Sequence, residues 1–238
     1  MLKPVIDIDP KTKVNWPSAT NGTGVRFKNA KKQIDSAFNQ PNLKAICLKI
    51  NSPGGSPVQS HLIAEYIRNQ SEKHQVPVFC FVEDKAASGG YLVACSADLI
   101  FASKFSMVGS IGVVMTSFSC VGLMDMLGIE SKVYTAGPRK AGVNPLTRTT
   151  EEEEMDLRNL LSETHMEFIN YVKERRLEKI KEEDNDDLFS GAVFGSARAL
   201  ELGLVDGIYT VMEDKVAELI GETKFKMAEF KIKGVGIK

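Results

Sequence analysis

Histidine is scarce: His61, His74 and His165 are the only three in 238 residues. All three fall inside helical patterns, where a surface or packed histidine is the simpler reading, and none follows a strand. A triad with a histidine base therefore has no natural candidate. Cysteine is also sparse. Cys47, Cys80, Cys95 and Cys120 form no CxxC pair and have no histidine at metal-ligand spacing. Each lies in an apolar run such as Val78-Phe-Cys-Phe81, so buried free thiols are expected, with no disulfide framework, no metal and no cofactor. Such usage favours a reducing compartment.

An excess of one charge is missing as well. Thirty basic residues stand against 31 acidic ones, a net charge of −1, so no global field recruits nucleic acid or an anionic membrane. No uncharged apolar run reaches the roughly 18 residues that span a bilayer. The opening Met1-Leu-Lys-Pro-Val-Ile-Asp-Ile-Asp-Pro10 has too short an apolar run for a signal peptide. The chain as given is expected to be soluble, with membrane association only through a segment outside it.

What is present is ordinary globular usage, 43% hydrophobic and 26% charged, enough for one sizeable core. With no internal repeat or low-complexity linker, one domain is expected over residues 1–238. Its core would span about 40–147 and a helical C-terminal part about 148–221. Ala45–Ile50 and Val76–Val82 read as buried strands, as do Leu99–Ala102, Val108–Met115 and the short Lys132–Tyr134. Helical spacing runs over Pro57–His74, Ala87–Ala97 and Val121–Leu127. Thr150 with Glu153 forms a capping box that opens a long helix, and shorter helices follow near Ser196–Leu202 and Val211–Ile220. The alternation predicts an α/β fold of parallel-sheet βαβ units with right-handed crossovers.

Two glycine-rich turns follow buried strands, where parallel α/β sheets bind ligands: Asn51-Ser-Pro-Gly-Gly55 and Asp84-Lys-Ala-Ala-Ser-Gly-Gly-Tyr91. Ser88 would open the next helix. As a nucleophile it needs a base and two donors aimed at the developing oxyanion. The Gly89 N–H follows it directly, and Gly55 allows close backbone approach. The plainer reading makes Ser88 a helix cap and the glycines tight turns. Ala86 replaces the first glycine of G-x-S-x-G, which argues against an α/β-hydrolase. A lysine serves as base when burial lowers its pKa from about 10.4 toward 7 or 8. Lys140, in the small-residue loop Gly137–Pro145, is one candidate. Lys85 is its rival, weakened by the neighbouring Asp84, which would hold it protonated.

These motifs, in order, resemble the signal peptide peptidase A (SppA/SohB) family of serine proteases, which has the ClpP/crotonase fold. The resemblance continues through Val108-Gly-Ser-Ile-Gly-Val113, Gly137-Pro-Arg-Lys140, Asn144-Pro-Leu-Thr147, Val172-Lys-Glu-Arg-Arg176 and Ala199-Leu-Glu-Leu-Gly-Leu-Val-Asp206. It covers roughly residues 40–215 and is weaker over Ile6–Asn29. It implies a Ser/Lys dyad of Ser88 and Lys140, an oxyanion hole of Gly55 and Gly89, and Ser110 orienting the lysine. It also implies an endopeptidase acting on apolar peptides such as signal-peptide remnants or membrane-protein segments, and closed homo-oligomers. The family's common membrane anchor is not in this chain, so a soluble domain of an anchored protease is the alternative setting. Two other readings of the fold stay open: a crotonase-like acyl-CoA hydratase or hydrolase, and a catalytically silent scaffold.

Overall fold

The structure is a computed structural model that describes residues 2–8, 26–137, 139–181 and 187–232. In chain order its main elements are β1 (Leu2–Ile8), α1 (Phe27–Phe38), β2 (Ile46–Ser52), α2 (Pro57–His74), β3 (Val78–Ala87), α3 (Gly89–Ala94), β4 (Leu99–Ser103) and β5 (Met107–Gly109). There follow α4 (Val121–Met126), α5 (Glu151–Arg176), β6 (Val193–Gly195), α6 (Ser196–Glu201), β7 (Gly207–Tyr209), α7 (Met212–Ile220) and β8 (Lys226–Ile232). The chain divides into two compact units. One comprises 1–112 with 168–238, the other Val113–Glu167.

The first unit is organised by a sheet ordered β6-β5-β3-β2-β1-β8, with β4 also paired to β3, and β7 to β4. Every pairing is parallel except β5 with β6. The α/β class with parallel βαβ units is therefore as expected. β3 is long enough to serve two neighbours. Phe79–Val82 pairs with Leu99–Ala102 of β4, and Lys85–Ala87 pairs with Met107–Gly109 of β5.

β2 is buried along almost its whole length, as suits a parallel strand covered on both faces. Its alternate residues enter different clusters. Ile46, Leu48 and Ile50 pack with Ile34 of α1 and Ile67 of α2. Cys47 packs with Phe79, Phe81, Phe101 and Val216 of α7. The helix α2 begins and ends where its residues dictate. Ser56 accepts from Gln59 N at 3.4 Å, Pro57 takes the first turn, and Gln75 closes it at φ 52°.

The C-terminal end of α5 is pinned inside this unit. Arg176, 2% exposed, donates to Asp206 Oδ2 at 2.7 Å and twice to Gly203 O, at 3.1 and 2.7 Å. Asp206 also accepts from Ile100 N at 2.8 Å and pairs with Lys179 at 2.7 Å. Burial pushes the Asp206 carboxyl up, but the bonds from Arg176 and Lys179 outweigh it and hold it below the ordinary aspartate value of 3.8. The two motifs ending in Arg176 and Asp206 are thus a single buried clasp.

The second unit holds α4, the loop after it and the first part of α5. The capping box forms as expected: Thr150 N donates to Glu153 Oε2 at 2.9 Å, and Glu153 N donates to Thr150 Oγ1 at 3.2 Å. Arg139 reaches Glu152 at 2.8 Å and Asp156 at 3.3 Å. Among the described residues of Val113–Glu167, none is buried.

Several expectations are corrected. The strand expected over Lys132–Tyr134 does not form, and these side chains are exposed. The strand expected over Val108–Met115 ends at Gly109, where positive φ at Gly109 and Ser110 turns the chain away. Cys47, Cys80 and Cys95 are buried free thiols, whereas Cys120 in the second unit is only half-buried. The buried clusters run from Ala30 in α1 to Val216 in α7, with no described residue of 113–167 in them. Three strands, β6, β7 and β8, stand among or after the C-terminal helices and join the sheet.

Candidate active site

β3 runs without a break through Asp84-Lys-Ala-Ala87, so the expected turn is strand up to Ala87. Ser88 then breaks direction at φ 51° and ψ −125°. A non-glycine residue in such a conformation costs about 1–3 kcal/mol and persists only where its surroundings enforce it. Here they do. Ser88 N donates to Gly109 O at 2.8 Å, Ser88 O accepts from Leu92 N at 3.0 Å, and every residue of α3 is buried. Ser88 occupies the N-cap position of α3, yet its side chain makes no capping bond. Capping therefore does not account for the serine.

Ser110 repeats the arrangement one strand over, with φ also 51°. The register pairs Ala87 with Gly109, so Ser88 and Ser110 leave the sheet side by side at its carboxyl edge. Ser110 N donates to Ala192 O at 2.7 Å, and Gly112 N donates to Ser110 O at 2.9 Å. Both serines are half-buried.

The turn after β2 lies directly on this elbow. A Cβ on Gly54 (φ +103°) would come within 2.7 Å of Ser88 Cβ, 2.8 Å of Ala87 O and 2.9 Å of Gly89 N, so only glycine fits. Asn51 ties the same turn to β3 by donating to Asp84 Oδ2 at 2.7 Å. Gly55 and Gly89 are brought together: a Cβ on Gly89 would lie 3.2 Å from Gly55 N. Among the described residues neither amide has an acceptor. The Ser88 amide, by contrast, is committed to Gly109. The site thus offers a hydroxyl on a rigid elbow beside two unpaired N–H groups, which is what stabilising a tetrahedral oxyanion requires.

The structure gathers Ser88, Ser110, Gly55 and Gly89 in the first unit. Lys140 belongs to the second, where it is exposed and its N–H donates to Gly137 O at 3.2 Å. Lys85 is half-buried in β3 opposite Met107. Successive strand residues face opposite ways, so Asp84 projects away from Lys85 and is held by Asn51 instead. The reason given for discounting Lys85 is thereby corrected. Cys95 is no rival nucleophile, because burial pushes its thiol up to about 12. Two of the histidines pack against rings: His61 meets the Tyr171 ring edge-on at 5.5 Å, and His74 lies against Phe38 at 5.6 Å. The sequence reading missed Gly54 as the point of tightest approach, although the adjacent glycine pair was its signal. It also missed Ser60, whose hydroxyl abuts Gly89.

Over residues 70–224 the chain matches the family model described as peptidase family S49. It is 38% identical to a protein of Brucella melitensis named Na(+)/H(+) antiporter NhaA, across 96% of this chain and 32% of that one. The chain thus spans about a third of the length of that relative. To a SohB protease of Haemophilus influenzae it is 31% identical, across 79% of this chain and 52% of that one. Among solved structures, a membrane-bound stomatin-specific protease in complex with a substrate peptide aligns with a TM-score of 0.57 at 13% identity. That likeness covers 100% of this chain and 93% of the other, and it is one of fold.

Proposed function

The chain belongs to peptidase family S49, and from that premise we propose that it is a serine endopeptidase in which Ser88 is the nucleophile and Lys140 the general base. Lys140 takes the hydroxyl proton as Ser88 attacks a peptide carbonyl. The developing oxyanion accepts from Gly55 N–H and Gly89 N–H, the protonated lysine delivers its proton to the leaving amine, and water then hydrolyses the acyl-enzyme. Ser110 aims the amine. Apolar peptides are the proposed substrates.

The observation that carries this reading is the Ser88 elbow: a strained serine with no capping role, set beside two unpaired amides. A silent scaffold of the same fold would have no use for a residue costing about 1–3 kcal/mol at this point. The acyl-CoA hydratase reading needs no serine there. Fluorophosphonate labelling tests the proposal. Wild-type protein is expected to label at Ser88 and to cleave an apolar peptide, and Ser88→Ala to lose both with its melting temperature unchanged. Wild-type turnover by Ser88→Ala would overturn the mechanism.

A solvated lysine is protonated at neutral pH, so Lys140 must be covered when the enzyme acts. We propose that a second copy of the chain provides the cover, in a homo-oligomer whose dyad is completed across the subunit interface. The support is the second unit itself, where no described residue is buried while Phe118, Met126 and Tyr134 are 74, 85 and 89% exposed.

A further inference from the structure

Ser60 lies close to the two amides proposed for the oxyanion. It stands in the opening turns of α2, with its N–H bonded to Ser56 O at 3.0 Å. A Cβ built on Gly89 would fall 2.4 Å from Ser60 Oγ, 3.3 Å from Ser60 Cβ and 3.2 Å from Gly55 N. The Ser60 hydroxyl, the Gly55 amide and the Gly89 backbone therefore converge on one small volume.

Helical serines and threonines commonly return their hydroxyl to a carbonyl four residues back. This chain does so elsewhere: Ser36 Oγ donates to Lys32 O at 2.8 Å, and Thr164 Oγ1 donates to Leu160 O at 2.9 Å. Ser60 does not. It is half-buried, and its hydroxyl has no hydrogen-bond partner among the described residues. Packing explains why residue 60 must be small, since anything larger would push on Gly89. It does not explain why the atom filling the space over Gly89 is a hydroxyl oxygen with no partner of its own rather than an apolar group.

We propose that Ser60 is a further catalytic residue, whose Oγ–H donates a third hydrogen bond to the acyl oxyanion beside Gly55 N–H and Gly89 N–H. The inference rests on the acyl-transfer reading above and deepens it. A third donor of this kind acts only where negative charge develops, so it lowers the barrier without strengthening binding of the substrate.

The test uses the full chain, one apolar peptide substrate and a peptide aldehyde of the same sequence. The aldehyde's adduct with Ser88 places an oxygen in the hole. Ser60→Ala is expected to lower kcat about tenfold, the worth of one neutral hydrogen bond of roughly 1–1.5 kcal/mol. Aldehyde affinity should fall by the same factor, with KM and melting temperature unchanged. Wild-type kcat and aldehyde affinity in Ser60→Ala would overturn the proposal and leave Ser60 as packing. So would a loss of kcat accompanied by equal losses in KM and melting temperature. If Ser60→Ala does not fold, the smaller Ser60→Gly, which adds no pressure on Gly89, decides by the same pair of readouts: parallel losses support the donor role, and unchanged values refute it. A wild-type chain that neither labels at Ser88 nor cleaves peptide removes the acyl-transfer reading and this inference together. That result is distinct from an active wild type matched by an equally fast Ser60→Ala.

Discussion

In the first unit, β2 and the first half of β3 are buried almost residue by residue, and the turns around Ser88 pack so closely that a Cβ on Gly54 or Gly89 would meet a neighbour within 3 Å. In the second, Val113–Glu167, many hydrophobic side chains are exposed and no described residue is buried. A segment with no fully buried side chain has less to set against the roughly 1–2 kcal/mol per residue that ordering its backbone costs. The proposed nucleophile and the amides proposed for its oxyanion are therefore preorganised by the fold of one chain. The proposed base sits where the chain contributes almost no burial of its own. On this account the two halves of the chemistry differ in what they depend on: internal packing for one, assembly for the other.

The largest expected effect lies in the first unit. Arg176→Met leaves the buried Asp206 with Lys179 as its one charged partner beside the Ile100 amide and removes both bonds to Gly203 O, so it is expected to cost about 3–5 kcal/mol in chemical denaturation. The pH dependence has a definite sign. The folded Asp206 is held below 3.8, so its contribution is fully present above that value and is lost as pH falls through the lower folded value. The gap between wild type and variant should accordingly be widest above about pH 4 and narrow in stronger acid. A gap that widened on acidification would show that the clasp does not work through the charged aspartate.

At the other end of the scale, Met126→Ser in the second unit removes an exposed side chain from α4. It is expected to change the unfolding free energy of the dissociated chain by less than about 0.5 kcal/mol. The same substitution should weaken self-association measured by sedimentation equilibrium. A core-like loss of stability in the dissociated chain would erase the contrast between the units. Wild-type self-association would remove Met126 from the proposed interface.

How much of this was legible in the sequence follows the same division. α2 forms over the predicted Pro57–His74, with Ser56 and Pro57 at its start, because capping and periodicity are local signals. The Thr150 and Glu153 box was legible for the same reason. Ser88 was identifiable as a residue between a strand and a helix, but its positive φ was not, since that comes from Gly54 and Gly109 closing on it. β8 escaped notice because it pairs with β1, in the register Leu2 with Lys226, across nearly the whole chain. Neither strand announces a partner that distant. The failed strand at Lys132–Tyr134 shows the converse: a short apolar run suggests a strand, but only a neighbouring edge makes one. Ser60 was invisible because its relation to Gly89 exists only once α2 is laid against the elbow.

Complementation between two inactive variants tests the central claim most directly. Ser88→Ala and Lys140→Ala chains, each devoid of peptidase activity alone, are mixed, dissociated, reassembled and assayed on one apolar peptide. If Ser88 of one copy works with Lys140 of another, some interfaces in the mixed assemblies regain both residues and activity returns. Mixed assemblies that form but stay inactive, or a wild-type monomer with full activity, would contradict the account.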